Sequence, residues 1–409
     1  MQPRRYKLGV VAIHPIQYQA GLWRTLSKHP RLDVNVIYLD TVGIDGSVDP
    51  TMNAAMKWDV PLLDGHKSEF VPNWSPRRYT PIVHRINPKL PAAVRAGNYD
   101  AVIVHGYLSI SNWFLLREAK RLSLPLIYRG EGSMRGGDRN DNFFVNALKY
   151  PLNRYFLNQC MLIAHSSNDN REYQLSRGAP EERLFPMPCA VDNDILAEMA
   201  KPADPAAFRA RHGIPSDARL VINVGRFSEN KRTRDCIEAF AKGRLADAPD
   251  IHLLLAGDGP LRSELEAFTT DLGLAGRVHF LGFLSQHEMV EAVVASELFA
   301  ICSSHGDPSP KALAEALALG KPAVCSEGIG TCRDVIEDGA NGYVVPSMNP
   351  TALGEGIARV LFAADSEREA MSAHSKRMAR RDDFQAGVDS LVANLDKCLG
   401  DTDTTRAAL

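Results

Sequence analysis

Asp307, Lys311 and Glu315 fall at four-residue intervals through "GDPSPKALAEALALGKP", residues 306–322, with Pro308 and Pro310 between the first two. An acid, an ammonium and a second acid at that spacing put charged side chains along one face of a helix and its entry, where they could meet a ligand. Proline suits a first helical turn, where its missing N–H would have had no partner, so the sequence predicts Ser309 as N-cap and Pro310 as the first helical residue. Gly320 fits a left-handed stop. Leu313, Ala316, Leu317 and Gly320 make a stripe for burial, and Lys311 and Glu315 lie on a different face. The free amides of Lys311 and Ala312, with the lysine side chain, would suit an anion such as phosphate. An ordinary capped helix with a surface Lys/Glu pair fits the same residues taken alone.

Other loops carry related chemistry. In "GRFSENKRTRDCIEAF", Gly225 permits a tight exit from a strand, and Arg226, Lys231, Arg232 and Arg234 put positive charge before an amphipathic helix. That loop could hold a diphosphate or face water. Gly257, Gly259 and Arg262 spell G-x-G-x-x-R, without the third glycine of a dinucleotide fingerprint, and point to a turn close to a ligand more than to NAD. Gly328 and Gly330 precede another helix.

The elements that must position these loops read as short apolar runs alternating with helical patterns, the mark of parallel sheets with crossover helices. "LGVVAI", "VNVIYL", "DAVIVHG", "LPLIYRGE" and "MLIAHSS" form one series; "RLVINVGR", "IHLLLAGDG", "VHFLGF", "ELFAICSS", "KPAVCSEG" and "NGYVVP" form a second. The expected fold is α/β, with two Rossmann-like doubly wound domains facing a cleft. Residues 1–200 make the first domain and 201–380 the second, which the resemblance described below implies are the acceptor-side and nucleotide-sugar-binding domains; 381–400 form a terminal helix able to pack back on the first domain, and 401–409 a disordered tail. A chain of 409 residues exceeds what one core usually supports. The net charge of −2 gives no general attraction to nucleic acid or anionic membrane. Seven scattered cysteines without a metal spacing fit reduced thiols in a cytoplasm. The apolar stretch of "MQPRRYKLGVVAIHPIQ" breaks at His14 after about six residues, too short for a signal peptide, and no run reaches a membrane span.

The second series, in order and spacing, resembles the retaining glycosyltransferases of family 4 (GT-B fold, glycosyl transferases group 1): "GR…K" at Arg226 and Lys231, "AGDGP", "VHFLGF", and Asp307 to Glu315 followed by "EALALGKPAVCSEGIG…DVIEDGANGYVV". "HPIQYQAGLWRTL", "VIVHG" and "FPMPCAVDND" extend the likeness over most of the chain. The resemblance implies transfer of a sugar from a nucleotide diphosphate sugar to a saccharide or lipid-linked acceptor, in polysaccharide or glycoconjugate biosynthesis, with no cofactor, metal or nucleic acid. It implies catalytic roles for His105, Arg226, Lys231 and Asp307, and donor contacts from Gly225, Gly257, Gly259, Phe283, Lys311, Ala312 and Glu315. Acceptor-side candidates are His14, Gln17, Tyr18, Gly21, Glu131 and Arg135. Three departures stand out: Asp307 where the family has Glu, Ser309-Pro310 where it usually has Phe-Gly, and no glycine pair in the first loop. Asp192 and Asp194 make an Asp-x-Asp pattern, but in the link that the resemblance assigns to a hinge. The aromatic stretch around Lys149 and Arg154 could dock peripherally at the inner face of a membrane, or cover the first sheet as a core helix. A sugar-nucleotide 2-epimerase and a silent nucleotide-binding partner share the architecture.

Overall fold

The structure, a computed structural model, describes residues 3–44, 48–49, 54–55, 60–75, 85–135 and 143–400, with only the backbone course for 48–49, 54–55 and 143–148. The predicted tail at 401–409 lies outside the described residues.

The apolar runs form two parallel sheets. The first holds β1 (Tyr6–Ala12), β2 (Leu32–Tyr38), β5 (Lys67–Phe70), β6 (Ala101–His105), β7 (Leu126–Arg129), β8 (Leu162–His165) and β9 (Leu184–Pro186), in the order β5-β2-β1-β6-β7-β8-β9. Between β2 and β5, β3 (Val48–Asp49) and β4 (Ala54–Ala55) pair antiparallel. The second sheet holds β10 (Arg219–Val224), β11 (Ile251–Ala256), β12 (Val278–Gly282), β13 (Leu298–Ile301), β14 (Ala323–Ser326) and β15 (Gly342–Val345), in the order β12-β11-β10-β13-β14-β15. Strand order reverses beside β1 in one sheet and beside β10 in the other. At such reversals the loops after adjacent strands diverge and leave a crevice at their carboxyl ends.

Helices cover both faces of each sheet, which is why the central strands are apolar without alternation, while the edge strand β5, Lys-Ser-Glu-Phe, is polar and largely exposed. Trp23, Leu8, Val10 and Ile103 pack on one face of the first sheet, and Val102, Val104, Leu115 and Phe156 on the other. The second sheet is sandwiched likewise, with Phe240, Leu253 and Ile357 on one side and Ile222, Leu254 and Leu313 on the other.

The chain crosses between the halves twice. It leaves β9 through Met187–Ala190 and joins the second core at Val191 and Leu196. It returns after the helix Asp365–Arg381, because the last helix, Phe384–Leu399, places Phe384, Val388, Leu391 and Leu395 in the first core. Asp396 pins that helix by accepting from the Tyr6 hydroxyl at 2.7 Å and from Arg31 at 2.7 and 2.5 Å.

Candidate functional site

The loops after β10 and β13, the two strands at the second reversal, are tied together. Lys231 Nζ lies 2.6 Å from Asp307 Oδ2, which also accepts from Ser303 Oγ at 2.9 Å. The Ser304 amide donates to the Asn230 carbonyl at 2.9 Å. Asp307 is buried, so its charge is held by these partners. Arg226 is half-buried on the same loop, and its guanidinium makes no hydrogen bond or ion pair with a described residue. A side chain at Gly225 would meet nothing within 4 Å, so open space lies before it. The other two cations of this loop are consumed locally. Arg232 forks onto Asp235 at 2.7 and 3.0 Å, and Arg234 reaches Glu264 at 3.2 Å above the Phe268 ring.

Gly257 and Gly259 answer to a different need from the one the sequence suggested. A Cβ on Gly257, at φ 143°, would lie 1.9 Å from the Gly225 carbonyl oxygen, and one on Gly259 would lie 2.4 Å from that of Phe227. These glycines let the loop after β11 press on the loop after β10. Phe283, 65% exposed, leaves β12 beside Gly282.

The helix of the 306–322 segment spans Lys311–Ala318, one residue later than predicted. Pro310, not Ser309, is the N-cap, at an extended ψ of 122°, and the first turn begins with Lys311. The Lys311 and Ala312 amides stand where no intrahelical carbonyl can reach them. Gly320 closes the helix at φ 77°. Glu315 is buried on this helix and accepts from Gln286 Nε2 at 3.1 Å, while Gln286 Oε1 accepts from Gln17 Nε2 at 2.9 Å. A hydrogen-bond chain thus crosses the cleft from the first loop to the second carboxylate. Burial raises the Glu315 pKa, opposed only in part by Gln286 and Lys311. The Lys311 ammonium turns to the first domain: it donates to the Cys189 carbonyl at 3.1 Å, contacts the Cys189 thiol, and lies 5.2 Å from the Tyr18 ring centre.

On the opposite wall, His105 ends β6 with its ring edge-on to Trp23 at 5.5 Å. Its Nε2 is buried without a hydrogen-bond partner. Burial, reinforced by Arg129, pushes its pKa down to about 3, so the imidazole is neutral at pH 7. Glu131 lies in the cleft with its surface open and accepts from the Cys189 thiol at 3.2 Å. Neighbouring protein atoms strip part of its hydration, which would raise its pKa, but Lys311, Arg129 and Cys189 outweigh that and hold it below the ordinary carboxylate range. Burial, with Glu131, pushes the Tyr18 hydroxyl up. His14 approaches the Pro15 carbonyl at 3.1 Å.

Two acceptor-side candidates have structural roles as well. Gly21 is packed beneath the terminal helix, where a Cβ would lie 2.5 Å from the Phe384 ring, so its smallness serves helix packing. Arg135 is engaged between the halves: it donates to the Glu327 carbonyl, and its Nε lies 3.7 Å from Asp169. Asp192 caps the helix Asn193–Ala200 by accepting from the Ile195 amide at 3.1 Å. Among the described residues no group of three or more His, Cys, Asp or Glu side chains is placed to hold a metal ion. Sequence reasoning missed Arg129 and Cys189. Arg129 had one visible signal, a charge closing the apolar run "LPLIYRGE".

Residues 204–378 match the family model described as Glycosyl transferases group 1. The chain is 29% identical over 313 residues to the D-inositol 3-phosphate glycosyltransferase of Geodermatophilus obscurus, covering 73% of this chain and 66% of that protein. It is 35% identical over 156 residues to the lipopolysaccharide core biosynthesis glycosyltransferase LpsE of Rhizobium meliloti, covering 38% and 42%. The matches therefore span under two thirds of these relatives' lengths. Among solved structures, Anabaena Alr3699/HepE in complex with UDP superposes with a TM-score of 0.71 at 18% identity, over 96% of this chain and all of that one. WaaG, a glycosyltransferase involved in lipopolysaccharide biosynthesis, gives 0.62 at 17% identity over the same shares. Two parallel-sheet domains with this topology, superposing on these structures over nearly the whole chain, show that the protein has the GT-B fold, and its second half is similar to the glycosyl transferases group 1 family.

Proposed function

We propose that the protein is a retaining glycosyltransferase that moves a sugar from a nucleotide diphosphate sugar to an acceptor hydroxyl without a metal ion. The observation that carries this reading is that Lys231, on the loop after β10 that also bears Arg226, is paired with Asp307 at the entry to the helix carrying Lys311 and Glu315, and that this helix is joined to the first domain through Cys189 and Gln17. As the sugar becomes cation-like, charge collects on the departing phosphate. Fixed cations and free amides stabilise that charge where it develops. Asp307 holds Lys231 and presents its other oxygen to sugar hydroxyls. Glu315 accepts from the ribose hydroxyls once they displace Gln286. Neutral His105, with an unoccupied Nε2, bonds a hydroxyl of the transferred sugar. The leaving phosphate takes the acceptor proton on the same face, so no enzymic nucleophile is needed.

HepE was solved with UDP, with UDP and glucose, and with UDP-glucose, which makes uridine donors the first to try. Polysaccharide or glycoconjugate assembly is the setting that the relatives' names suggest. No helix among the described residues is long and apolar enough to cross a membrane. Exposed Tyr150, Leu152 and Tyr155 on the helix Phe143–Asn158 suit peripheral contact with a membrane holding a lipid-linked acceptor. The test is a panel of nucleotide sugars with and without saccharide acceptors, following nucleotide release and the anomeric configuration of the product. Acceptor-dependent release with retention supports the reading; donor interconversion without acceptor, or binding without turnover, rejects it.

A further inference from the structure

Arg129 ends β7 and pairs in register with His105 at the end of β6, so both side chains rise on the same face of the first sheet. The residue is 6% exposed, yet its guanidinium makes no hydrogen bond and no ion pair with any described residue. A guanidinium carries five donors, and the Arg129 nitrogens are not among the sealed, unpartnered atoms of the interior, so these donors keep access to solvent and stand free for a ligand. The fold around it supplies no match. Its charge acts on Tyr18, His105, Glu131 and Cys189. Of these only Glu131 is a carboxylate, and one of its oxygens already accepts from the Cys189 thiol. Lys311 brings a second cation to the same place from the other domain, through the Cys189 carbonyl. Two cations thus face one carboxylate, an excess of positive charge on the first-domain wall. Arg226 and Lys231 already serve a donor diphosphate on the other wall.

We propose that Arg129, assisted by Lys311, forms an anion subsite on the acceptor side of the cleft, and that the acceptor carries a phosphate or a carboxylate near its reacting hydroxyl. The assignment to the acceptor rests on the glycosyl-transfer reading above. The planar fork of Arg129 matches either oxyanion through two parallel N–H bonds.

The test uses the full chain carrying Arg226→Ala and Lys231→Ala, which lacks the donor-phosphate cations, with glucose 6-phosphate, glucuronate and glucose as probes. One or both acids should raise the melting temperature while glucose does not, and the acid that binds identifies phosphate or carboxylate. Adding Arg129→Gln should remove the shift, read against the same variant without ligand, and lower the acid's affinity by roughly tenfold or more. Arg129→Lys, which keeps the charge without the fork, should retain part of it. An undiminished shift in the Arg129→Gln background overturns the subsite. Calorimetry of UDP with Arg129→Gln alone separates the sources. Unchanged UDP affinity is expected, and a loss as large as that in Lys231→Ala would give Arg129 to the donor and overturn the acceptor assignment. Acid binding through Arg129 in an enzyme that releases no nucleotide from any donor would sink the transfer reading and leave the anion subsite standing.

Discussion

Asp307 holds the Lys231 ammonium at 2.6 Å, so in the proposed reaction Lys231 would meet the donor phosphate already oriented. Replacing it with alanine removes one stabilising cation and leaves Asp307 buried with a single hydroxyl partner. Lys231→Ala should therefore reduce turnover by about two orders of magnitude, as loss of one oxyanion-stabilising group does. Wild-type turnover in the purified variant would contradict the role. Glu315 carries a pH dependence. Burial raises its pKa, so it holds a proton to higher pH than an ordinary carboxylate. Ribose hydroxyls donate to both oxygens only in the ionised form, so donor affinity should fall as pH drops through the raised pKa, with proton release on binding in mildly acidic buffer. Calorimetry in two buffers of different ionisation enthalpy reads that proton, and identical heats would remove it. Glu315→Gln should weaken donor binding and flatten the dependence. Asp307, Lys311 and Glu315 were legible because one segment carries them. Arg129 was not, since its placement beside His105 comes from a register between strands more than twenty residues apart in the sequence.

The central strands were legible because those buried on both faces read as apolar runs, whereas the polar edge strand β5 and the short β3, β4 and β9 carried no such signal. Helix ends were less so. Ser309 precedes a proline, which disfavours helical backbone there, and Pro310 takes extended ψ, so the start moves to Lys311. The reason for Gly257 lay in a carbonyl of another loop, which a local motif does not reveal. A pair on adjacent strands adds a measurable property to the donor domain. His252 Nδ1 and His279 Nε2 meet at 2.9 Å, a contact that needs at least one neutral ring. Burial lowers both pKa values; Arg277 also acts on His252, against Asp217 and Asp250, while His252 and His212 act on His279, taking it from 6.5 to about 4. Folded-state values below the unfolded one mean that this stability is complete above pH 6.5 and is lost as pH falls toward about 4. Thermal melts from pH 7 to pH 4 should show the second domain weakening across that window, and His279→Gln should blunt the slope. A slope identical in that variant would assign the acid sensitivity to other groups.

At the scale of the molecule, the terminal helix belongs to the first core although the chain reaches it last. Phe384 is 6% exposed and rests on the space that Gly21 leaves. Phe384→Ala should cost about 3–5 kcal/mol, as large-to-small changes in a core do, and should lower the melting temperature of the first domain more than that of the second. An unchanged melt would show that the helix is not part of that core. The Gln17–Gln286–Glu315 chain and the reach of Lys311 to Cys189 join the halves through residues far apart in sequence, so neither could be read before the domains were seen together.

Met187 lies against Gly387, so the outgoing and returning crossings run side by side. Two parallel tethers act as paired hinges on a door. They leave swinging about the line through them as the least constrained relative motion of the halves and resist torsion.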